Sequence, residues 1–236
     1  MIHFSVDDTI EIFRYLIENN GGSIFECPNL NKFRTLHREF GFKVSMYCFY
    51  ETEGFDLSMC TDKYRQEFKE NADWLRFGFH ARNEASKYND CPPETFREDL
   101  LKTVSELRRI VSEEAITYDV RLGFGQGNRG CIRAMKDSFD HFKVLYGVDD
   151  GRIVYYLNEE ENSRYLAEGM FYDEEMGITI RHCERRLESS KAFVERIKQI
   201  DADQIYPFFS HEISLQKDQV WDYLRMLCEK GEEFIL

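Results

Sequence analysis

The chain alternates short apolar runs with longer amphipathic runs along almost its whole length, and this alternation limits the possible folds more than any other feature. Short apolar runs predict buried strands, here at residues 2–6, 43–50, 74–80, 118–122, 143–148, 153–157 and 205–210. Runs with helical periodicity lie between them, at residues 9–19, 29–40, 61–71, 93–113, 129–139, 191–200 and 217–230. Repeated strand-then-helix order favours a parallel sheet with right-handed crossovers. With about seven strands in one unit, the expected fold is a (β/α) barrel, TIM-like and incomplete.

Residues 158–190 interrupt this alternation. Two apolar stretches within them predict a hairpin, and the run Glu159-Glu160-Glu161 predicts a solvated acidic turn. Long irregular segments on an α/β scaffold often face the substrate. We therefore expect a single domain over residues 1–236 with an irregular insertion near 158–190.

The composition is that of a globular protein, with 42% hydrophobic and 32% charged residues and no apolar stretch long enough to span a bilayer. The formal net charge of −13 repels nucleic acid and anionic membrane surfaces, so it favours a neutral or cationic substrate. The first residues already resemble a strand, which leaves no room for a signal peptide and predicts a cytoplasmic protein. Seven scattered cysteines without a C-x-x-C pair predict reduced thiols, most of them buried.

Two adjacent carboxylates, Asp7 and Asp8, follow the first apolar run directly and precede the first helical run. The carboxyl end of a strand is where α/β folds place ligands and catalytic groups. Because neighbouring side chains on an extended backbone point to opposite sides, one Asp could hold a metal ion while the other handles a proton. The alternative is structural: Asp8 could cap the first helix, with Glu11 completing a capping box.

Polar side chains also follow three later strands. His80 ends the third apolar run, and Glu84 lies four residues further on. In one helical turn these two side chains would share a face, so they could bind one ion together with an Asp of the first strand. His211 follows the last apolar run, and Arg121 lies near the end of the fourth. Because the carboxyl ends of barrel strands converge, we expect these residues to meet at one site.

Taken in order, these residues resemble the polysaccharide deacetylase superfamily, also called the NodB-homology or carbohydrate esterase family 4 domain. The family's first motif, T-F-D-D-G, is similar to Ser-Val-Asp-Asp-Thr at residues 5–9. Its second motif, a His with another His four residues later, is matched by His80 with Glu84 in the second place. The third, R-x-P with an aromatic, resembles residues 121–124 with Gly for Pro, and the last, L-x-x-H, resembles residues 208–211. The tryptophan-bearing fourth motif has no clear match.

The resemblance implies a metal-dependent hydrolase that removes the N-acetyl group from an N-acetylated sugar or polysaccharide intermediate. It assigns six positions: the general base Asp7, its orienting partner Arg121, the general acid His211, and the metal ligands Asp8, His80 and Glu84. The implied cofactor is one divalent ion, Zn²⁺ in the first place, with Mn²⁺, Mg²⁺, Co²⁺ or Ni²⁺ as alternatives. A Glu in place of the second His adds negative charge and favours oxygen-preferring ions.

Other interpretations remain open. Gly125–Gly130 is formally G-x-G-x-x-G, and Asp149 and Asp150 follow about twenty residues later, which is the dinucleotide-binding pattern. Against this, Asp119 and Arg121 stand in the preceding run, where a buried central strand requires aliphatic residues. A non-catalytic glycan-binding relative of the deacetylases, or a different metal hydrolase on the same barrel, would also fit.

Overall fold

The computed structural model describes residues 1–200 and 204–236. Within these ranges the strands are β1 (Ile2–Thr9), β2 (Val44–Phe49), β3 (Glu51–Thr52), β4 (Phe55–Asp56), β5 (Leu75–Ala81), β6 (Val144–Tyr146), β7 (Met170–Asp173), β8 (Ile178–Arg181), β9 (Tyr206–His211) and β10 (Phe234–Ile235). The helices are α1 (Glu11–Asn19), α2 (Pro28–Phe40), α3 (Arg65–Glu70), α4 (Pro93–Val111), α5 (Arg129–Ser138), α6 (Glu159–Glu168), α7 (Ser190–Ile197) and α8 (Asp218–Cys228). Each predicted helical run therefore contains a helix. Among the described residues, none of these helices combines the length and apolar character that a bilayer crossing requires.

The main sheet is parallel, with its strands in the order β9, β1, β2 and β5 and with β10 pairing the start of β1. Every residue of β2 is buried, and β1 is buried at every position except Asp8. Such continuous burial is typical of parallel strands, which are covered on both faces. Because the strands run in one direction, the carboxyl ends of β1, β5 and β9 lie along the same edge of the sheet.

A second sheet contains β6 and β8, which are parallel, and β7, which is antiparallel to β8. Isolated parallel bridges extend the pairing from one sheet toward the other: Phe77 with Ile116, Val120 with Leu145, and Arg186 with Phe209. Across residues 1–200 and 204–236, no regular strands close the ring. The predicted α/β class is thus confirmed. The predicted barrel is seen only in part, because the described chain forms two separate sheets that are connected by single bridges.

Two of the predicted strands do not form in the described chain. In residues 118–122, the carboxylate of Asp119 accepts two consecutive backbone N–H groups at the start of β6, each at 2.8 Å. The side chain thereby takes donors that a strand partner would need, and the segment makes a single bridge instead. In residues 153–157, Tyr155 has a left-handed backbone with φ of 51°, which an extended strand does not allow.

The insertion near residues 158–190 contains the predicted hairpin, formed by β7 and β8. The predicted acidic turn is wrong, because Glu159, Glu160 and Glu161 form the first turn of α6. The side chain of Asn158 accepts the backbone N–H of Glu161 at 2.9 Å, and the Glu161 carboxylate accepts the N–H of Asn158 at 2.9 Å. This capping box, together with acidic residues at the positive end of the helix, explains why the segment is helical.

The start of α1 is held by a carboxylate from the other end of the chain. Glu212 accepts the backbone N–H groups of Ile10, Glu11 and Ile12 at 2.7–2.8 Å. The N-cap residue Ile10 makes no side-chain cap of its own. The alternative in which Asp8 caps this helix is therefore wrong, since Glu212 satisfies these amide groups.

The seven cysteines are free thiols, and all but Cys91 are buried, as predicted. Burial raises the pKa of Cys60, Cys131, Cys183 and Cys228 to about 12. These side chains behave as small apolar residues of the core rather than as nucleophiles.

Candidate active site

β1 bulges at the two adjacent aspartates. Between two register positions β1 carries Asp7 and Asp8, whereas β2 carries only Tyr47. Asp8 has φ of 58°, in the left-handed region that Asp tolerates better than most side chains. A bulge redirects side chains, and here both carboxylates line the same cavity. The expectation that they point to opposite sides is therefore wrong, because the strand is not extended at this point.

β5 bulges at His80, since its pairing with β2 passes from Phe79 directly to Ala81. The Nδ1 of His80 donates a hydrogen bond to the backbone carbonyl of Arg121 at 2.6 Å, which orients the buried ring. Its Nε2 lies 3.1 Å from the Oδ1 of Asp8. The two bulges thus bring the side chains of Asp8 and His80 into contact.

Asp7 forms a buried ion pair with Arg121. The Nη2 of Arg121 donates to the Oδ2 of Asp7, and both side chains are less than 5% exposed. The guanidinium also lies over the ring of Phe209, with its Cζ 3.3 Å from the ring centroid. The other oxygen of Asp7, Oδ1, is buried and has no hydrogen-bond partner among the described residues. Arg121 therefore fixes one carboxylate oxygen and leaves the second available.

His211 is held by Glu188, a residue that the sequence analysis missed. The Oε1 of Glu188 accepts the backbone N–H of His211 at 2.8 Å and lies 3.4 Å from its Nδ1. Burial by itself lowers the pKa of His211, but the bond to Glu188 and the charge of Asp7 raise it above its ordinary value. Burial opposes ionisation of Glu188, yet His211 lowers the pKa of that carboxyl to about 2. The pair therefore favours a protonated imidazole beside a carboxylate.

All six residues singled out in the sequence line one cavity of about 400 Å³: Asp7, Asp8, His80, Glu84, Arg121 and His211. The cavity lies at the carboxyl ends of β1, β5 and β9. Phe124 also lines it, with a side chain 43% exposed and a left-handed φ of 59°. An exposed aromatic ring on a strained backbone is typical of a ligand-binding wall.

Glu84 lines the cavity but does not join Asp8 and His80. It is exposed in the irregular turn after β5, so the helical spacing that paired it with His80 is wrong. No three His, Cys, Asp or Glu side chains of the described chain form a group that could hold a metal ion. The pair itself suits a divalent ion, because the hydrogen bond from His80 Nδ1 to the carbonyl of Arg121 fixes the ring with Nε2 beside Asp8, as metal-binding histidines require. Asp8 and His80 therefore fit two coordination positions of a divalent ion, and water or substrate would take the remaining positions.

The glycine-rich loop at residues 125–130 is engaged within the protein. The backbone N–H of Gly127 donates to the Oδ1 of Asn89 at 3.0 Å, and the side chain of Asn128 caps α5. Asp149, one of the two aspartates of the dinucleotide pattern, accepts hydrogen bonds from Arg186. These contacts account for the loop without a bound phosphate, so the dinucleotide alternative gains no support.

No known family profile matches the sequence, and no curated protein matches it. Among solved structures, the chain is similar to a protein from Mycobacterium smegmatis assigned to the polysaccharide deacetylases, with a TM-score of 0.57. The chain has the polysaccharide deacetylase fold. The identity is 10%, and the match covers 99% of this chain and 85% of the other. The resemblance drawn from the sequence motifs is therefore confirmed at the level of the fold.

Two further structures share the polysaccharide deacetylase fold with this chain at a TM-score of 0.51 and 10% identity. One is the Xyl-CE4 domain of a multidomain xylanase from the hindgut metagenome of Trinervitermes trinervoides, covering 99% of this chain and 85% of that domain. The other is a family 4 carbohydrate esterase from Streptomyces lividans in complex with acetate. That match covers 100% of this chain and 91% of the esterase.

Proposed function

We propose that the chain hydrolyses the N-acetyl amide of an N-acetylated sugar. The observation that supports this most is the meeting of three distinct groups at one cavity. These are a carboxylate with one free oxygen, a carboxylate–imidazole pair suited to an ion, and an imidazole kept protonated by a carboxylate. Amide hydrolysis needs a base for water, an electrophile for the carbonyl and an acid for the leaving amine.

In the proposed reaction, the free Oδ1 of Asp7 removes a proton from the attacking water while the Arg121 guanidinium holds the other oxygen. The water oxygen forms a bond to the acetyl carbon. His211 then gives its proton to the sugar nitrogen as the carbon–nitrogen bond breaks, so the products are acetate and a free amine. Glu188 acts as a positioning residue that keeps His211 protonated.

Asp8 and His80 would hold the divalent ion, Zn²⁺ or one of the other ions predicted above. When bound, such an ion lowers the pKa of water and polarises the acetyl carbonyl. A larger groove of about 850 Å³ shares Asp8, Phe49, Asn83 and Glu84 with the cavity. Further sugar residues of an oligosaccharide therefore have room beside the reacting one.

Release of acetate from a panel of N-acetylated sugars, with Zn²⁺, Mn²⁺ and Mg²⁺ added in turn, tests the proposal. We expect at least one sugar to lose its acetyl group, with 1,10-phenanthroline or EDTA stopping the reaction. Tight sugar binding without acetate release under every ion would contradict the hydrolase and favour the glycan-binding alternative.

We expect the Asp8→Ala variant to bind Zn²⁺ at least about 100-fold more weakly than the parent protein, since it loses one of two protein donors. Glu84→Ala is the matched control, because this carboxylate lines the cavity without contacting the pair. We expect its affinity to change by less than about threefold. Isothermal titration calorimetry with Zn²⁺ measures the affinity of both variants without any substrate. A large loss in the Glu84 variant would restore the three-ligand site predicted from the sequence.

Glu188→Gln should move the alkaline limb of the pH profile of kcat/KM downward by about one pH unit. The reaction needs protonated His211, so activity falls as pH rises through the pKa of His211. Because Glu188 raises that pKa, removing its charge makes His211 lose its proton at lower pH. Glu195→Gln, an exposed glutamate paired with Lys198, serves as control. An unchanged alkaline limb would show that His211 is not the acid.

A further inference from the structure

Two arginines that the proposed reaction does not use line the cavity. Arg152 and Arg186 lie on the wall together with Arg121. Their side chains are 48% and 34% exposed, respectively, so solutes can reach them. Arg186 lies within residues 158–190, the insertion that was expected to face the substrate, and Arg152 lies shortly before it.

Carboxylates hold each of these guanidiniums without lining the cavity themselves. The Nε and Nη2 of Arg186 donate to Asp149 at 3.0 and 2.6 Å, and Asp149 is 5% exposed. The Nε of Arg152 donates to both oxygens of Asp150 at 2.9 and 3.0 Å, and its Nη2 donates to one of them. Neither aspartate lines the cavity. Within the described chain, no residue accepts a hydrogen bond from the Nη1 of either arginine.

The three guanidiniums act on one another through their charges. Hydrogen bonding to Asp150 raises the pKa of Arg152, whereas the charge of Arg186 opposes this rise. Hydrogen bonding to Asp149 raises the pKa of Arg186, and the charge of Arg121 opposes it. Each guanidinium is also paired with its own aspartate, so these arginines offer the cavity N–H donors rather than a net positive charge. Screening by salt limits the reach of distant acidic residues, so the donors on the cavity wall matter more for recognition than the net charge of −13.

We propose that Arg152 and Arg186 recognise an anionic group, a carboxylate or a phosphate, carried by the N-acetylated sugar. This rests on the proposed function, and it replaces the neutral or cationic substrate expected from the net charge. A planar guanidinium held by a carboxylate on two of its nitrogens is pre-oriented, and its remaining N–H groups suit the oxygens of a carboxylate or phosphate.

Dissociation constants of three sugars, measured by ligand-observed NMR, test this proposal. The sugars are N-acetylglucosamine, N-acetylglucosaminuronic acid and N-acetylglucosamine 1-phosphate. We expect at least one anionic sugar to bind the parent protein about tenfold more tightly than the neutral one, as one charge-assisted contact provides. The anionic sugar that binds more tightly shows whether the recognised group is a carboxylate or a phosphate. Arg152→Gln and Arg186→Gln should each reduce the preference to about threefold or less, and Arg164→Gln, an exposed arginine on α6 outside the cavity, should preserve it.

Equal affinity for the three sugars, a preference that survives both substitutions, or no binding of either anionic sugar would overturn the proposal. Acetate release from the same sugars is recorded separately. Hydrolysis without anionic preference would overturn this inference and leave the proposed function standing. Anionic preference without hydrolysis would support this inference and contradict the proposed function.

Discussion

Replacement of Asp7 by asparagine is expected to lower kcat for acetate release by about 10²–10⁴-fold, the usual contribution of a general base. The amide accepts a hydrogen bond from Arg121 and has nearly the same shape as the carboxylate, but it cannot take a proton from water. The Oδ1 of Asp7 is buried and without a partner among the described residues, so it is the oxygen proposed to take the proton from water. Steady-state kinetics at saturating sugar measure the effect.

Asp119→Asn is the matched control for this variant. Asp119 is a half-buried aspartate whose carboxylate accepts backbone N–H groups, and it lies outside the cavity. We expect kcat of this variant to stay within about threefold of the parent value. Circular dichroism establishes that both variants fold. An active Asp7→Asn protein would exclude Asp7 as the base.

Replacement of Arg121 by methionine is expected to lower the free energy of unfolding by about 3–5 kcal/mol, because it leaves the carboxylate of Asp7 buried without its partner. Both side chains are almost fully buried, so solvation of the lone carboxylate compensates little for the lost ion pair. The packing of Arg121 against Phe209 is partly kept by the methionine side chain. Urea unfolding at pH 7 measures the change.

The double variant Asp7→Asn/Arg121→Met separates the ion pair from simple packing. When both charges are removed, no buried charge is left unpaired, so we expect the double variant to be more stable than Arg121→Met alone. A double variant that is less stable by the sum of the two single losses would show that the two residues contribute independently.

The strand ends could be predicted from the sequence, whereas the backbone geometry at those ends could not. Apolar runs mark where β1, β5 and β9 lie, and polar residues directly after them indicate the edge where they meet. The pattern says nothing about register, so the bulges at Asp8 and His80 escaped prediction. An apolar pattern also predicted a strand at 118–122, where the side chain of Asp119 bonds to the backbone instead.

The partners of the site residues were harder to predict than the residues themselves. Glu188 stands in no motif, and only the fold brings it to His211. Glu84 has the right spacing in the sequence, but the turn after β5 exposes it. Spacing predicts contacts only where the secondary structure is known, and here the chain leaves the strand without forming a helix. The roles assigned to the six cavity residues, and the single-domain organisation, stay predictions.

The bond between Glu212 and the first turn of α1 has a consequence for synthesis of the protein. Residues 10–12 are translated long before residue 212, so on the ribosome the nascent chain has no carboxylate to satisfy these amides. Contacts of such sequence separation form late and slowly. We therefore expect Asp8 and His211 to reach their final positions only after residue 212 has been synthesised, which makes the cavity one of the last parts of this fold to form.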